Sequence, residues 1–259
     1  MLRPRIIPCL LVQKKGLVKT VNFKSPKYVG DPINAVRIFN EKEVDELIVL
    51  DIDATADNRE PDYKMIEYLA AECRMPLCYG GGVKTAEQAQ RIFCLGVEKV
   101  AISSAAIEDP GLVARMAEQV GSQSVIVVLD IRKNSKGDYE IFTHNGQRPT
   151  GKCPIDFAQQ LVKLGAGEIV INSIDQDGEM KGYDLVLAEK IREKINVPMT
   201  VLGGCGSLQH LGQLINKFGI IGAAAGSLFV FKGIYKAVLI NYPNKTEKNS
   251  LIKEHHNQP

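Results

Sequence analysis

The sequence has 259 residues, of which 45% are hydrophobic and 24% charged, with 32 basic and 30 acidic side chains and a net charge of +2. This length can bury the core of one large α/β barrel or of two ordinary domains, and the near-neutral charge argues against a dedicated nucleic-acid binder. No apolar run reaches the roughly 20 residues of a membrane span, and the N-terminus MLRPRIIPCLLVQKKG lacks a signal-peptide cleavage site, so we expect a cytoplasmic protein.

Short β-branched runs alternate with amphipathic stretches along the chain. ELIVLDID is followed by the helical pattern YKMIEYLAAECR, and PLCYGGG by TAEQAQRIFCLG, for which Thr85 is the expected N-cap. Eight strands are predicted, near residues 5–11, 46–52, 76–80, 99–103, 124–130, 168–173, 199–203 and 220–224. Because no linker divides them, the pattern predicts one closed (β/α)8 TIM barrel, an α/β fold, over residues 1–243.

Two segments fall outside the repeating units. The polar stretch 133–151 is predicted to be a long loop with its own strand pattern, DYEIFTH. Residues 244–259 are polar and are expected to form a solvated C-terminal tail.

Three motifs recur at almost the same offset. The pairs are Asp51 and Asp175, Gly80 and Gly203, and Ser104 and Ser227, separated by 124, 123 and 123 residues. One shared offset close to half the chain length indicates a barrel built from two half-barrel repeats.

Glycine-rich turns follow strands in both halves, and each is paired with a turn of small residues. Close approach of backbone N–H groups and a helix N-terminus favour a phosphate, and hydroxyls add hydrogen bonds. Two repeated copies predict a ligand with two phosphates or one that bridges two anion pockets across the barrel mouth. The candidate residues are Gly81, Gly82, Ser103, Ser104, Gly203, Gly204, Gly226 and Ser227.

Aspartates end several predicted strands, where a barrel presents side chains to its active face. Asp51 and Asp175 are compatible either with chemistry or with capping of the following turns. Asp130 ends the apolar run SVIVVLD, where an ionised carboxylate is costly, so a functional role is favoured there.

Residues for metal or nucleophilic chemistry are sparse. The six cysteines form no CxxC pair, there is no GxSxG motif, and two of the four histidines are His255 and His256 near the C-terminus. We therefore expect no metal and no cofactor.

Many short motifs together resemble one family, the cyclase subunit (HisF) of imidazole glycerol phosphate synthase. They are RIIPCL, VKTVNF, GDP, DELIVLDI, YGGGV, GVEKVAIS, GSQSVIVVLD, FTHNG, TGK, GAGEIVINSIDQDG, KGYD and GGCG. The resemblance covers residues 1–235 in order. It implies a barrel of two half-barrels, an ammonia-dependent lyase reaction on a substrate with two phosphates, and a heterodimer with a HisH-like glutaminase subunit that supplies the ammonia.

The family's functional positions are only partly retained. Asp130 and Asp177 match its catalytic aspartates, and Lys19 and Gly178 match substrate-binding positions in the first loop and in the IDQDG motif. The family's other catalytic aspartate is replaced by Leu11, so the usual two-aspartate mechanism cannot operate unchanged.

Two more departures, Asn172 for threonine and Leu202 for serine, also lie at the expected active face. Together with Leu11 they suggest a changed substrate.

At the opposite end, four charged residues match a ring that the resemblance assigns to ammonia entry. They are Arg5, Glu46, Lys99 and Glu168, and the alternative is a purely structural ion network. A retained ring beside an altered active face suggests a paralogue in a surface-polysaccharide (lipopolysaccharide) pathway, where ammonia converts an acetamido sugar into an acetamidine.

Three classes of function remain open. The first is an ammonia-using synthase subunit, either the histidine-pathway cyclase or its sugar-modifying relative. The second is a non-catalytic allosteric or docking barrel for another synthetase. The third, a phosphosugar isomerase, needs two acid–base groups and is disfavoured by Leu11.

Overall fold

The computed structural model describes residues 3–233 and 235–253. The strands are β1 Arg5–Gln13, β2 Gly16–Val21, β3 Lys24–Gly30, β4 Leu47–Asp51, β5 Leu77–Gly80, β6 Lys99–Ile102, β7 Val125–Lys133, β8 Tyr139–Thr143, β9 Arg148–Pro149, β10 Glu168–Ser173, β11 Met199–Leu202, β12 Gly222–Ala225, β13 Phe231–Lys232 and β14 Ala237–Val238. The helices are α1 Pro32–Glu41, α2 Tyr63–Glu72, α3 Ala86–Cys94, α4 Ser104–Glu108, α5 Gly111–Val120, α6 Pro154–Lys163, α7 Leu185–Arg192, α8 Leu208–Phe218, α9 Ser227–Val230 and α10 Lys245–Lys253.

Eight parallel strands close into a barrel. Their order is β1, β4, β5, β6, β7, β10, β11 and β12, and β12 pairs with β1 to complete the circle. All eight predicted strands are present, with boundaries shifted by at most a few residues, and the predicted (β/α)8 fold is confirmed. Within the described ranges, no helix is long and apolar enough to cross a membrane.

Two apolar layers hold the barrel together. The strand faces that point outward pack against the helices, with Phe39, Leu69 and Ile92 among the fully buried helix residues. The inward faces form a separate apolar interior of Ile7, Cys9, Ile48, Cys78, Ala101, Ile126, Val128, Val170, Leu202 and Ala224. Period-2 alternation within each strand produces both layers.

Helix capping explains several helix starts. Thr85 accepts a hydrogen bond from the Gln88 N–H, and the Gln88 side chain accepts from the Thr85 N–H, so the predicted N-cap of α3 is a complete capping box. Asp31 and Asp62 are the N-caps of α1 and α2, and each side chain accepts one hydrogen bond from a backbone N–H of the first helical turn.

Antiparallel additions extend two barrel strands beyond the barrel mouth. β1 continues into the β2–β3 hairpin, whose two strands were not predicted from the sequence. β7 pairs with β8 over 130–143, so the strand predicted inside the 133–151 loop is confirmed. Both extensions lie on the side where the barrel strands end, and they raise the wall of the mouth.

The C-terminal segment is not fully a solvated tail. Lys245–Lys253 forms α10, and Leu251 is half-buried and packs against α8 beside Gly212. The Asn244 side chain accepts from the Thr246 and Glu247 N–H groups, and Glu247 accepts from the Asn244 N–H. This capping box and one apolar contact make the segment helical despite its polarity; residues 254–259, with His255 and His256, lie outside the described residues.

Candidate active site

One cavity of about 310 Å³ opens at the carboxyl ends of the barrel strands. Every residue assigned from the sequence to catalysis or to substrate and phosphate binding lies on its wall. These residues are Lys19, Gly81, Gly82, Ser103, Ser104, Asp130, Asp177, Gly178, Gly203, Gly204, Gly226 and Ser227. Residues spread over more than 200 positions are thus brought together, as expected for the active face of a TIM barrel.

Asp130, near the end of β7, is partly open to the cavity and is held from two sides. The Asn172 amide donates to its Oδ1 at 2.8 Å, and the Ser103 hydroxyl donates to its Oδ2 at 3.4 Å. Burial raises the pKa of Asp130 to about 7, and the charge of Asp177 adds to the rise, whereas the two hydrogen bonds oppose it. A carboxyl with this pKa is present in both protonation states near neutral pH.

Asp177 fastens the loop after β10 to the β2–β3 hairpin. Its Oδ2 accepts from the Thr20 hydroxyl at 2.7 Å and from the Phe23 N–H at 3.1 Å. Burial raises the pKa of Asp177, while Thr20, Phe23 and the nearby Lys19 charge act against it. Asp177 lines the cavity, but its Oδ2 is already used to position the hairpin.

Lys19 is the buried cation of the cavity. Only 6% of the residue is exposed, and its Nζ donates to the Cys9 carbonyl at 2.6 Å. Burial lowers the pKa of Lys19. Gly226 leaves the space that the ammonium occupies, because a Cβ at position 226 would collide with Nζ. An ammonium with three donors and one fixed acceptor can still donate to a ligand.

The two glycine turns need glycine for conformational reasons. Gly81 and Gly203 have φ angles of +122° and +98°, and a Cβ on Gly203 would lie 2.6 Å from the Ser173 carbonyl oxygen. Each turn lies near a short helix in the same half, α4 beginning at Ser104 and α9 at Ser227, 123 residues later. The two halves of the sequence repeat therefore have matching structures, a glycine turn and a short helix, at the mouth of the barrel.

Gly178 has a packing reason as well as a place on the cavity wall. Its φ is +71°, and a Cβ there would overlap the Thr20 carbonyl of the hairpin. The same close contact brings Asp177 to Thr20.

Asp51 and Asp175, for which two interpretations were open, both have structural partners. Asp51 Oδ1 accepts from the N–H groups of Asp53 and Ala54, each at 3.1 Å, so it caps the turn after β4. Asp175 accepts from the Lys133 N–H at 3.0 Å and is exposed outside the cavity wall. The capping interpretation therefore fits Asp51, although Asp51 also lines the cavity, whereas Asp175 bonds to β7 and not to the turn that follows it.

A ring of charges closes the other end of the barrel, where the strands begin. Arg5 bonds both Glu46 and Glu168, the latter at 2.7 Å, and Lys99 bonds Glu46 at 2.7 Å and Glu168 at 3.1 Å. The four predicted ring residues are therefore assembled into a cycle of alternating charge. Thr200 joins it by donating to Glu168 at 2.5 Å.

The ring charges stabilise one another against burial. Burial alone would raise the pKa of Glu168, yet hydrogen bonds and charge from Arg5 and the charge of Lys99 hold it below its usual value. Burial opposes the charge of Lys99 too, but Glu168 and Glu46 raise its pKa. The pKa values of Arg5, Lys99 and Glu168 are thus all shifted in favour of their charged forms, and the apolar barrel interior separates the ring from Asp130.

Comparison with known proteins decides the family. A model of the family described as "Histidine biosynthesis protein" matches residues 5–236. The chain belongs to this family. It is 58% identical over 253 residues to "Putative imidazole glycerol phosphate synthase subunit HisF" of Leptospira borgpetersenii, which covers 97% of this chain and 100% of that protein.

Two further relatives span a wider range of similarity. The chain is 56% identical over 254 residues to "Putative imidazole glycerol phosphate synthase subunit hisF3" of Vibrio vulnificus, with 98% of each chain covered. It is 38% identical over 229 residues to "Imidazole glycerol phosphate synthase subunit HisF" of Streptococcus sanguinis, covering 88% of this chain and 91% of that protein. The resemblance to HisF subunits read from the motifs is confirmed.

Leu11, at the position where the motif resemblance predicts an aspartate, also lies on the cavity wall. It is on β1, four strands away from β7 in the closed eight-strand order, so it faces Asp130 across the barrel. Of these two opposed strand-end positions, only Asp130 carries a carboxyl group; Asp51, at the end of β4, also lines the cavity, and its carboxylate caps the turn that follows.

Several wall residues were missed from the sequence. Thr20 positions Asp177, and His144 and Asn145 lie in the turn after β8 with φ angles of +51° and +56°. The FTHNG motif carried the signal for that turn, because Asn-Gly favours a left-handed backbone. Among the described residues, no cluster of histidine, cysteine, aspartate or glutamate could hold a metal ion.

Proposed function

We propose that this chain is the synthase subunit of a glutamine amidotransferase. In this proposal, ammonia from a glutaminase partner reacts in the mouth cavity with a phosphate-bearing substrate, in a lyase reaction of the imidazole glycerol phosphate synthase type. The observation that carries the proposal is Asp130, a carboxyl of pKa about 7 held by Asn172 and Ser103 at the end of a barrel strand. A general acid–base is most effective when its pKa lies near the working pH.

Asp130 would serve both halves of an ammonia addition. When ammonia attacks an electrophilic carbon, the carboxylate accepts a proton from the new C–N ammonium group. The resulting carboxyl donates this proton to the oxygen on that carbon, which gives a carbinolamine. A second proton, passed from nitrogen to the hydroxyl in the same way, releases water and leaves the imine. Asn172 fixes one carboxylate oxygen by its 2.8 Å hydrogen bond, so the other is directed to the reacting atoms. The enclosed cavity limits hydrolysis of the imine by bulk water.

The anion pockets would anchor the substrate at both sides of the cavity. Gly81, Gly82, Ser103 and Ser104 supply N–H and hydroxyl groups in one half, and Gly203, Gly204, Gly226 and Ser227 supply them in the other. The buried ammonium of Lys19 adds a positive charge beside Gly226. Two pockets suit either a substrate with two separate phosphates or a nucleotide diphosphate.

The charged ring would admit ammonia from the partner. A HisH-like glutaminase that docks on the strand-start face would deliver ammonia to Arg5, Glu46, Lys99 and Glu168. The interior beyond them is apolar, which excludes ions and lets a small neutral molecule pass toward Asp130. Since the ring is closed by four ion pairs, passage requires at least one pair to separate.

Leu11 supports a substrate other than the histidine-pathway ribonucleotide. A leucine cannot transfer protons, and one positioned acid–base group contributes about 10²–10⁴-fold in rate. A sugar nucleotide whose acetamido group becomes an acetamidine requires nitrogen to replace the amide oxygen, which leaves as water, and requires no ring closure. The sugar version of the proposal places this protein in surface-polysaccharide synthesis.

Turnover with ammonium salts tests the proposal. We expect the chain to convert the histidine-pathway substrate poorly, and Leu11→Asp to raise that rate by about 10²-fold or more because it restores a second acid–base group. Asp130→Asn in the Leu11→Asp background is the control and should remove the gain. Efficient turnover by the native chain would contradict the sugar version and restore the ordinary cyclase.

A non-catalytic docking barrel is the second candidate, and Leu11 is the observation that favours it. In that case the chain would bind its glutaminase and stimulate glutamine hydrolysis, yet Asp130→Asn would leave the activity of the assembled system unchanged. A loss of at least about 100-fold in product formation by Asp130→Asn would exclude this candidate.

A further inference from the structure

The turn between β8 and β9 forms part of the cavity wall, and the proposed mechanism does not use it. His144, Asn145 and Gln147 of this turn line the cavity. His144 and Asn145 have φ angles of +51° and +56°, in the left-handed region that side chains rarely adopt, and Gly146 follows at +71°. Such conformations are costly and persist only where surrounding contacts hold them, which is common in ligand sites.

Contacts on two sides hold the turn in this conformation. The His144 N–H donates to the Ser104 hydroxyl at 3.5 Å, which joins the turn to the anion pocket that contains Ser104. On the other side, Arg132 donates to the Gly146 carbonyl at 3.3 Å, and the same guanidinium pairs with Asp175 at 3.6 Å. The turn is therefore attached to the cavity wall and to β7.

The His144 ring holds the Arg148 side chain at the rim of the cavity. Arg148 Nη1 lies 3.2 Å from His144 Nε2. Because a guanidinium can only donate, Nε2 is the acceptor, and the proton of the neutral ring is on Nδ1. Nδ1–H then donates at 3.2 Å to the hydroxyl of Thr143, which is buried. One partner on each ring nitrogen thus sets both the tautomer and the orientation of the ring.

Arg148 has a positive charge that no carboxylate compensates. Arg148 is exposed, and only one of its five guanidinium N–H groups has a hydrogen-bond partner among the described residues. A carboxylate partner would offset the charge, whereas the neutral His144 ring leaves it available to a ligand. In the described part of the chain, the arginine ion pairs belong to Arg5, Arg37, Arg59, Arg115 and Arg132.

We infer that Arg148, positioned by His144, binds a second anionic group of the substrate, a carboxylate or a further phosphate, beyond the phosphate held at Ser104. The inference rests on the proposed function for the identity of the cavity as the substrate site. The backbone of His144 contacts Ser104 and its ring contacts Arg148, so the length of one histidine side chain separates the two anion positions. Carboxylates and phosphates both match the planar fork of a guanidinium.

Isothermal titration of the full chain with matched ligand pairs tests the inference. UDP-glucuronate and UDP-glucose differ in a carboxylate against a hydroxymethyl group, and glucose 1,6-bisphosphate and glucose 1-phosphate differ in a phosphate against a hydroxyl. We expect the more acidic member of at least one pair to bind about tenfold tighter or more, as for one charge-assisted hydrogen bond. The pair that shows the preference distinguishes a carboxylate from a phosphate. Inorganic phosphate is the probe for the anion pockets alone.

Variants assign that preference to the two side chains. Arg148→Met keeps an unbranched side chain without the charge and should reduce the ratio of the two dissociation constants toward one. His144→Asn should reduce the ratio less, because asparagine tolerates the left-handed backbone but is too short to hold Arg148, whose charge remains. Arg74→Met, at an exposed arginine that does not line the cavity, should leave the ratio unchanged. Circular dichroism melting checks that each variant is folded.

The two levels of the account fail separately. Equal affinities within both pairs in the native chain, or no binding of any member, overturn the inference, and so does a preference that survives Arg148→Met. An undiminished preference in His144→Asn overturns the positioning role of His144. A preference that Arg148→Met removes, without binding of inorganic phosphate, supports the inference and contradicts the anion pockets of the proposed function.

Discussion

Replacing Asp130 by asparagine should make the stability of the protein less dependent on pH. The pKa of Asp130 is about 7 in the folded chain, against about 3.9 for an aspartate in the unfolded chain. Between these values the folded chain holds a proton that the unfolded chain has lost, so the free energy of unfolding falls as the pH rises. Above pH 7 the accumulated loss is about 4 kcal/mol, at 1.36 kcal/mol for each pKa unit.

Asparagine is similar in size and shape, can still accept from Asn172, and carries no charge at any pH. The free energy of unfolding of Asp130→Asn should therefore rise relative to the native chain by about 2.5 kcal/mol between pH 5 and pH 8. Urea unfolding followed by circular dichroism at both pH values measures the difference. Asp138→Asn, at an exposed position of the β7–β8 turn, controls for the loss of one carboxylate.

Parallel pH profiles for the native chain and Asp130→Asn would refute the reasoning. They would mean that Asp130 titrates near its ordinary pKa despite its burial. Asp130 would then not exchange protons near neutral pH, and its proposed role in proton transfer would be contradicted.

Two further substitutions test the ring and the anion pockets. Lys99→Met should destabilise the chain by about 3–5 kcal/mol in urea unfolding because it leaves two buried ring carboxylates with one cation. Lys217→Met, which breaks a more exposed pair, should lower the free energy of unfolding by about 1 kcal/mol or less. Equal losses of stability in the two variants would contradict a buried network. Ser227→Glu should abolish the thermal stabilisation of the native chain by pyrophosphate, since it places a carboxylate at the cavity wall. Ser122→Glu, outside the cavity, should retain it, and retention by Ser227→Glu would argue against the pocket.

The strands of the barrel could be predicted because their pattern is local. Runs such as ELIVL and SVIVVLD are strongly apolar and β-branched, and a polar loop or glycine turn follows each one. The eight undivided units predicted closure, the 123-residue offset predicted two half-barrel repeats, and Ser104 and Ser227, which share that offset, begin α4 and α9. Asp130 was identifiable for the same reason, since a carboxylate at the end of an apolar strand is costly to bury.

Features that depend on contacts between distant residues could not be predicted. Thr200 joins the charged ring only because β11 lies beside β10, and Thr20 reaches Asp177 only because the hairpin folds over the mouth. The α10 helix is different, because Asn244 and Glu247 form a capping-box pattern that is visible in the sequence. The start of this helix could have been predicted, but the polarity of the segment favoured a solvated tail instead.

In the proposed function, ammonia enters through the charged ring from a glutaminase that docks at the strand-start face. Sedimentation velocity of this chain mixed with a HisH-like glutaminase tests this docking most directly, with Glu46→Lys as the variant that disrupts the ring. The account predicts a one-to-one complex with the native chain and a weakened complex with Glu46→Lys. Absence of any complex with the native chain would contradict it and leave Arg5, Glu46, Lys99 and Glu168 as a structural ion network.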